Sequence, residues 1–496
     1  MSHLLLSNCL AVATMDDAGT EFANASILVE DGVIQWVGPG EPPADVLGDP
    51  REVGVVDARG CVAIPGLVNT HHHLYQALTR ASAQQAGLFG WLTELYPVWA
   101  GVDVEWVGAA AGAGLAELAL SGCSTSTDHH YVFPAGTGDL LAAEIEAARA
   151  LGVRFQPTRG SMDLGASSGG LPPDVVVQDT DTVLAQTEDA VRRFHDPAPG
   201  AMVRIAIAPC SPFSASEGLM RESAALARRL GVRLHTHIAE TVDEEAFCLE
   251  RFGIRPVDLL DRLGFLGPDV WLAHCVHLSP ADVAAFAATG TGVAHCPTSN
   301  MRLGSGTAPV RELVDAGVPV GLGVDGSASN DGGNLLGEVR QALLVARGRG
   351  GPAAMTAREA LRLGTRGGAA VLGRDDVGSL EPGKRADVAL FDVTGLATAG
   401  IEADPIAGIV LAWPQPVKHL VVEGRFVVRD GRLANVDEEA IAREGHRVAA
   451  RIVAGDRPAS AASLGTTAAP ALGDAAAGRA AGIVPPPRAS SAQGGR

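Results

Sequence analysis

Between residues 61 and 325, short strand-like runs recur, most of them apolar, with stretches of helical composition between them. This alternation limits the possible folds more than any other feature of the chain. The runs are "CVAIPGLVNT", "STSTD", "VRFQPT", "MVRIAIAP", "VRLHTHIA", "VWLAHC", "TGVAHC" and "PVGLGVD", with helical stretches such as "DLLAAEIEAARALG" and "ASEGLMRESAALARRLG" between them. Continuous β-prone runs predict strands buried on both faces of a parallel sheet. Eight strand–helix units are the number that closes an α/β (β/α)8 barrel, whose chemistry sits at the C-terminal ends of its strands. A doubly wound open sheet is the rival, and it lacks a G-x-G-x-x-G after the first run.

Residues 1–60 and 380–450 carry shorter strand-like pieces, "ASILVEDGVIQWVG" and "VKHLVVEGRFVVRDGRL", punctuated by the turn signals "EDG", "EG" and "DG". They predict a small β-sandwich domain built from both chain ends around a barrel at 61–379. Residues 456–496 are rich in Ala, Gly and Pro and read as a disordered tail. The formal net charge of −19 argues against nucleic-acid or anionic-lipid partners. No run approaches the roughly 20 apolar residues of a membrane helix. The first residues lack a signal peptide's basic region, and the seven cysteines form no C-x-x-C pair, so a cytoplasmic location is expected.

Polar groups collect at the tips of the runs. Strand side chains alternate faces, so in "NTHHHLYQALTRA" His71 and His73 point one way and His72 the other. "LHTHIAE" supplies His235 and His237 on one face, with Glu240 three residues beyond His237, while "LAHC" carries His274 at its tip and "GLGVDG" carries Asp325. Imidazoles and carboxylates that interrupt otherwise buried runs need a reason. Three imidazoles and a carboxylate suit a divalent, borderline-soft ion such as Zn2+ or Fe2+. Two histidines alone would equally fit a polar loop cluster; their recurrence at several strand ends favours a metal. For Glu240 the plain alternative is an acid at a helix start.

The motifs "PGLVNTHHH", "HTHIAET", "AHCVHL" and "GVDGSASND" resemble those of the amidohydrolase superfamily, in its deaminase and triazine-hydrolase branch. The resemblance spans nearly everything but the tail and includes the split β domain through "GSLEPGKRADVALFD". It implies His71, His73, His237 and Asp325 as metal ligands, Glu240, His274 and Asp325 as catalytic groups, and His235 behind the ligands or in the core. Binuclear members bridge two metals with a carboxylated lysine on a middle strand. Here the two lysines, Lys384 and Lys418, lie outside the expected barrel, so one divalent metal per chain is expected. Such an ion lowers the pKa of water from about 15.7 towards 7, making hydroxide available to attack an amino-bearing ring carbon. Asp325 would take the water's proton, Glu240 would protonate the adjacent ring nitrogen, and His274 would stabilise the tetrahedral centre.

After the first run, "LYQALTRASAQQAGLFGWLTELYPVWAG" concentrates Tyr75, Trp91, Tyr96 and Trp99 in a chain with only 4% aromatics. A lid that stacks on a planar ring is one reading; packing of the loop onto the barrel is the other. Gln76 and Arg80 can read carbonyl and ring-nitrogen acceptors. "HHHLYQALTRA" and "TRGSMDLG" are similar to the 8-oxoguanine deaminases of that family. With "STDHHYVFP", they add Arg159, Ser161, Asp128, His129, His130 and Tyr131 as candidate pocket contacts. The expectation is a metal-dependent hydrolytic deaminase that converts 8-oxoguanine and water to urate and ammonia. It would take a small planar heterocycle and could pair as a homo-oligomer. A triazine aminohydrolase or a guanine or isocytosine deaminase would share the metal site. A non-enzymatic scaffold is disfavoured because every ligand and catalytic position is filled.

Overall fold

The structure, a computed structural model, describes residues 3–47 and 49–455; the expected tail lies outside the described residues. At its centre eight parallel strands close into a barrel. In chain order these are Leu67–Asn69 (β1), Cys123–His130 (β2), Arg154–Ser161 (β3), Ala206–Pro209 (β4), Leu234–Ile238 (β5), Val270–His274 (β6), Gly292–His295 (β7) and Val320–Leu322 (β8). Each pairs with the next, and β8 returns to β1 through Leu322 and Asn69. Every residue of these strands is buried, which is why the runs lack polar–apolar alternation.

The outer helices start and stop where the sequence provides caps. Helices Leu140–Leu151 and Glu217–Leu230 begin at Asp139 and Ser216, whose side chains accept from the backbone N–H of Ala142 and Leu219. They end at Gly152 and Gly231, whose φ of 85° and 67° costs glycine little.

The two chain ends meet in a separate nine-stranded mixed sheet. Strand His3–Ala13 pairs antiparallel with Glu21–Glu30 and parallel with both Val53–Asp57 and Cys61–Pro65. Cys61–Pro65 then pairs antiparallel with Val388–Asp392, which continues through His419–Val422 to Arg425–Arg429.

The run "CVAIPGLVNT", expected as one barrel strand, therefore divides. Cys61–Pro65 belongs to the terminal sheet and only Leu67–Asn69 to the barrel. The division falls at Gly66, whose N–H donates to the Asp387 carbonyl while Leu67 N–H turns to that of Gly122. A Cβ on Gly66 would lie 2.4 Å from Ser124 Oγ, so the crossing requires glycine. A buried ion cluster ties sheet to barrel. Arg154, at the start of β3, donates to both Asp387 oxygens at 3.1 and 3.0 Å and to Glu423 Oε2 at 2.7 Å.

One apolar layer fills the space between barrel and helices. A second, aromatic layer includes Tyr75, Trp91, Tyr96, Trp99, Trp106, Tyr131 and Phe213, and lies over the barrel mouth. Among the described residues no helix is long and apolar enough to cross a membrane.

Candidate metal centre

The barrel gathers its buried polar groups at the C-terminal end. His71 and His73 lie just past β1, His237 in β5, His274 at the tip of β6 and Asp325 three residues past β8. The backbone there is bent into a conformation that side chains disfavour, with φ of 51° at Ala239, 70° at His274 and 62° at Asp325. Left-handed non-glycine residues at three strand ends of one rim are consistent with the strain a functional site stores in a backbone.

Ring tautomers follow from the hydrogen bonds. His235 Nδ1 sits 2.8 Å from the Trp271 carbonyl, which can only accept, so this nitrogen carries the proton and Nε2 is an acceptor. His71 Nδ1, 2.9 Å from His235 Nε2, is then the donor, leaving a lone pair on His71 Nε2, a buried atom with no protein partner. His73 Nδ1 donates to the His129 carbonyl at 2.7 Å and His237 Nδ1 to that of Cys210 at 2.6 Å. Their Nε2 atoms, 3.1 Å apart, therefore face each other lone pair to lone pair.

Asp325 Oδ1 lies 3.4 Å from His71 Nε2 and 3.3 Å from His73 Nε2. Four such atoms repel one another unless a cation sits among them. Tetrahedral ligands at about 2.1 Å from an ion are separated by about 3.4 Å, so the donor set fits a divalent metal. The outer N–H of each ring is held by a carbonyl or by His235, as a ligating imidazole requires.

Electrostatics agree. Burial, and then the neighbouring His71, lower His73 to about 3 and hold His237 well below its ordinary value, which keeps both lone pairs free at neutral pH. Burial would raise Asp325, but the adjacent His71 and the other imidazoles around it outweigh that and hold it well below the usual carboxylate range, so it stays a carboxylate. Its Oδ2 accepts from Ser299 Oγ at 2.5 Å and Ser329 Oγ at 3.1 Å. Burial, the Asp325 charge and Glu244 push Glu240 well above the usual carboxylate range. Glu240 Oε1 has no protein partner and Oε2 lies 3.5 Å from His274 Nε2. Burial lowers His274 to about 3, so the ring is neutral.

A cavity opens onto this cluster, walled by Leu88, Trp91, Leu92, Tyr96, Tyr131, Phe213 and Leu303, with His73, Gln76, Cys210, His237, Glu240, His274, Asp325 and Ser329 also lining it. Gln76 Oε1 is buried without a partner.

Several expected contacts lie elsewhere. Arg80 turns outward to Glu117, 2.5 Å away. Arg159 stacks on Phe133 at 3.7 Å and bonds Gln178 and Gln186 on the outer face of β3, lining a different cavity. His129 packs beneath the centre, its ring 4.7 Å from that of His237. Tyr75 is buried against Trp99 and Tyr131, behind the cavity wall. Asp128 and His130, of opposite parity to His129, face the helix Leu140–Leu151, where His130 meets the buried Glu144 at 2.7 Å.

Sequence reasoning missed Cys210, Phe213, Leu303, Ser299 and Ser329. The first two sit just past β4 in "APCSPF", a strand-end position that could have flagged them; Ser299 and Leu303 lie in and at the end of the short helix after β7, and Ser329 in a turn after β8, without a periodic signal. The two lysines are remote: Lys384 bonds the Asp375 carbonyl and Lys418 bonds Asp392.

Residues 62–427 match the amidohydrolase family. The chain is 46% identical over 461 residues to 8-oxoguanine deaminase of Pseudomonas aeruginosa, spanning 92% of this chain and 100% of that protein. It is 40% identical over 484 residues to hydroxydechloroatrazine ethylaminohydrolase of Pseudomonas sp. (strain ADP), spanning 95% and 100%. Atrazine chlorohydrolase of Arthrobacter aurescens TC1, solved in complex with zinc, superposes with a TM-score of 0.85 at 35% identity, covering 90% of this chain and 100% of that one. With a closed barrel, a split terminal sheet and buried histidines grouped to hold a metal, the chain belongs to the amidohydrolase family and is a metal-dependent aminohydrolase of its deaminase branch.

Proposed function

We propose that this enzyme deaminates 8-oxoguanine to urate, releasing ammonia, with one zinc ion held by His71, His73, His237 and Asp325. The observation that carries the reading is the convergence of four lone-pair donors beside the buried carboxyl of Glu240, beneath an aromatic slot. A bound divalent ion supplies hydroxide at neutral pH by lowering the pKa of water. The chain's residues do the rest.

Trp91, Tyr96, Tyr131 and Phe213 hold the flat ring. Gln76 Oε1, buried and without a partner, accepts a ring N–H of the oxopurine. Glu240 delivers its proton to the ring nitrogen next to the amino-bearing carbon, which makes that carbon electrophilic. Asp325 takes the proton of the attacking water and passes it to the departing amine. The new C–O bond replaces the C–N bond, ammonia leaves, and the hydroxyl proton of the tetrahedral centre returns to Glu240 as the carbonyl forms. A donor N–H on His274 stabilises the oxygen of the tetrahedral centre.

The apolar wall of Leu88, Leu92 and Leu303 favours a second reading, an N-alkyl triazine aminohydrolase, because it suits an alkylamino substituent. Amine release measured side by side from 8-oxoguanine, guanine, isocytosine and an N-ethyl hydroxytriazine decides between them. Preference for 8-oxoguanine supports the proposal; absence of turnover with any oxopurine overturns it.

A further inference from the structure

Asn300 lies in the short helix Pro297–Arg302 that follows β7 and is buried. Its Nδ2 stands 3.1 Å from Nδ1 of His274. We propose that Asn300 is a positioning residue that fixes the tautomer of His274, so that the imidazole presents Nε2–H to the reacting centre. The inference rests on His274 acting as a donor there.

A neutral imidazole has one N–H, so it can stabilise developing negative charge from Nε2 only if Nδ1 is the acceptor. The amide supplies the proton that makes it so. In this orientation the amide leaves one carbonyl oxygen, Oδ1, without a partner. The opposite orientation would bury an NH2 group with neither hydrogen paired, whereas in this one a hydrogen of Nδ2 is paired with His274 Nδ1.

The other side of the ring agrees. His274 Nε2 faces Glu240 Oε2 at 3.5 Å, and a proton on Nε2 lets that oxygen accept. The acidic proton of Glu240 then resides on Oε1, the atom with no protein partner and free for the substrate. Asn300 thus orders two donors at once: His274 Nε2–H directly, and Glu240 Oε1–H through the contact between the two side chains. Its own place is set by backbone hydrogen bonds, its N–H to the Cys296 carbonyl and its carbonyl from Ser305 N–H, both independent of the amide.

The test uses the full-length, zinc-loaded enzyme labelled with 15N-histidine. The chemical shifts of the two ring nitrogens report which one is protonated, and the His274 resonances are identified by their disappearance in His274→Gln. The wild-type enzyme is expected to show Nε2–H. In Asn300→Asp the carboxylate accepts from Nδ1–H, so the resonance pattern reverses. The kcat then falls about 100-fold, while KM stays within about threefold and zinc content is unchanged. In Asn300→Ala the tautomers mix and kcat falls less.

An Nδ1–H tautomer in the wild-type enzyme overturns the proposal, and so does an Asn300→Asp enzyme that is zinc-loaded with undiminished kcat. The tautomer measurement needs no substrate and no folded variant at position 300. The kinetic arm runs on whichever heterocycle the enzyme deaminates, so an error about 8-oxoguanine is not confused with an error about Asn300.

Discussion

Glu240→Gln keeps the shape of the side chain and its reach to His274 but removes the proton that the mechanism delivers. The expected result is a fall in kcat of about 1,000-fold with KM changed little and zinc retained, measured by steady-state ammonia release and metal analysis. In the wild-type enzyme, burial and the Asp325 charge raise this carboxyl well above the usual carboxylate range, so the proton-bearing form persists to higher pH than in a free glutamate. The kcat/KM profile should therefore fall as pH rises through the raised value, on its alkaline side. Behind the ligands, His235→Ala removes the acceptor that orients His71 and should weaken zinc binding about 10- to 100-fold in competition with a chelator. Strand alternation made the parity of His71, His72 and His73 legible in the sequence, since a strand tip carries it forward. The role of His235 was not legible, because only the fold brings Trp271 and His71 to its two nitrogens. Arg80 and Arg159 were assigned inward on chemistry alone, and the sequence does not record that Glu117 and Phe133 draw them outward.

Among the elements, most barrel strands could be read because burial on both faces leaves apolar runs, although Cys123–His130 and Arg154–Ser161 are largely polar and equally buried. The first strand shows the limit of that signal. Cys61–Pro65 and Leu67–Asn69 are both fully buried parts of one continuous run, so nothing in their pattern separates a strand of the terminal sheet from one of the barrel. The change of sheet depends on Gly66 passing close to Ser124. Gly66→Ala should lower stability by about 1–3 kcal/mol through this overlap, seen as a lower urea midpoint. Ser124→Gly should restore part of the loss in the double variant, whereas an additive effect would show that the contact is not the cause.

Across the whole molecule, the barrel and the terminal sheet are joined by the buried pair Arg154 and Asp387, both almost without solvent exposure. Asp387→Asn leaves the Arg154 charge with Glu423 alone among its carboxylate partners and should cost about 3 kcal/mol, lowering the melting temperature. The split sheet was foreseeable from turn signals at both chain ends, but this ion cluster was not, because Arg154 lies more than 200 residues from both acids.

The central claim is that four donor atoms at the barrel mouth hold one catalytic ion. Metal analysis of the purified enzyme, before and after exhaustive chelation and in His73→Ala, tests it most directly. The account predicts about one zinc per chain, activity lost on chelation and regained with zinc, and an empty, inactive His73→Ala. Full deaminase activity in metal-free protein, or two tightly held ions per chain, would contradict it.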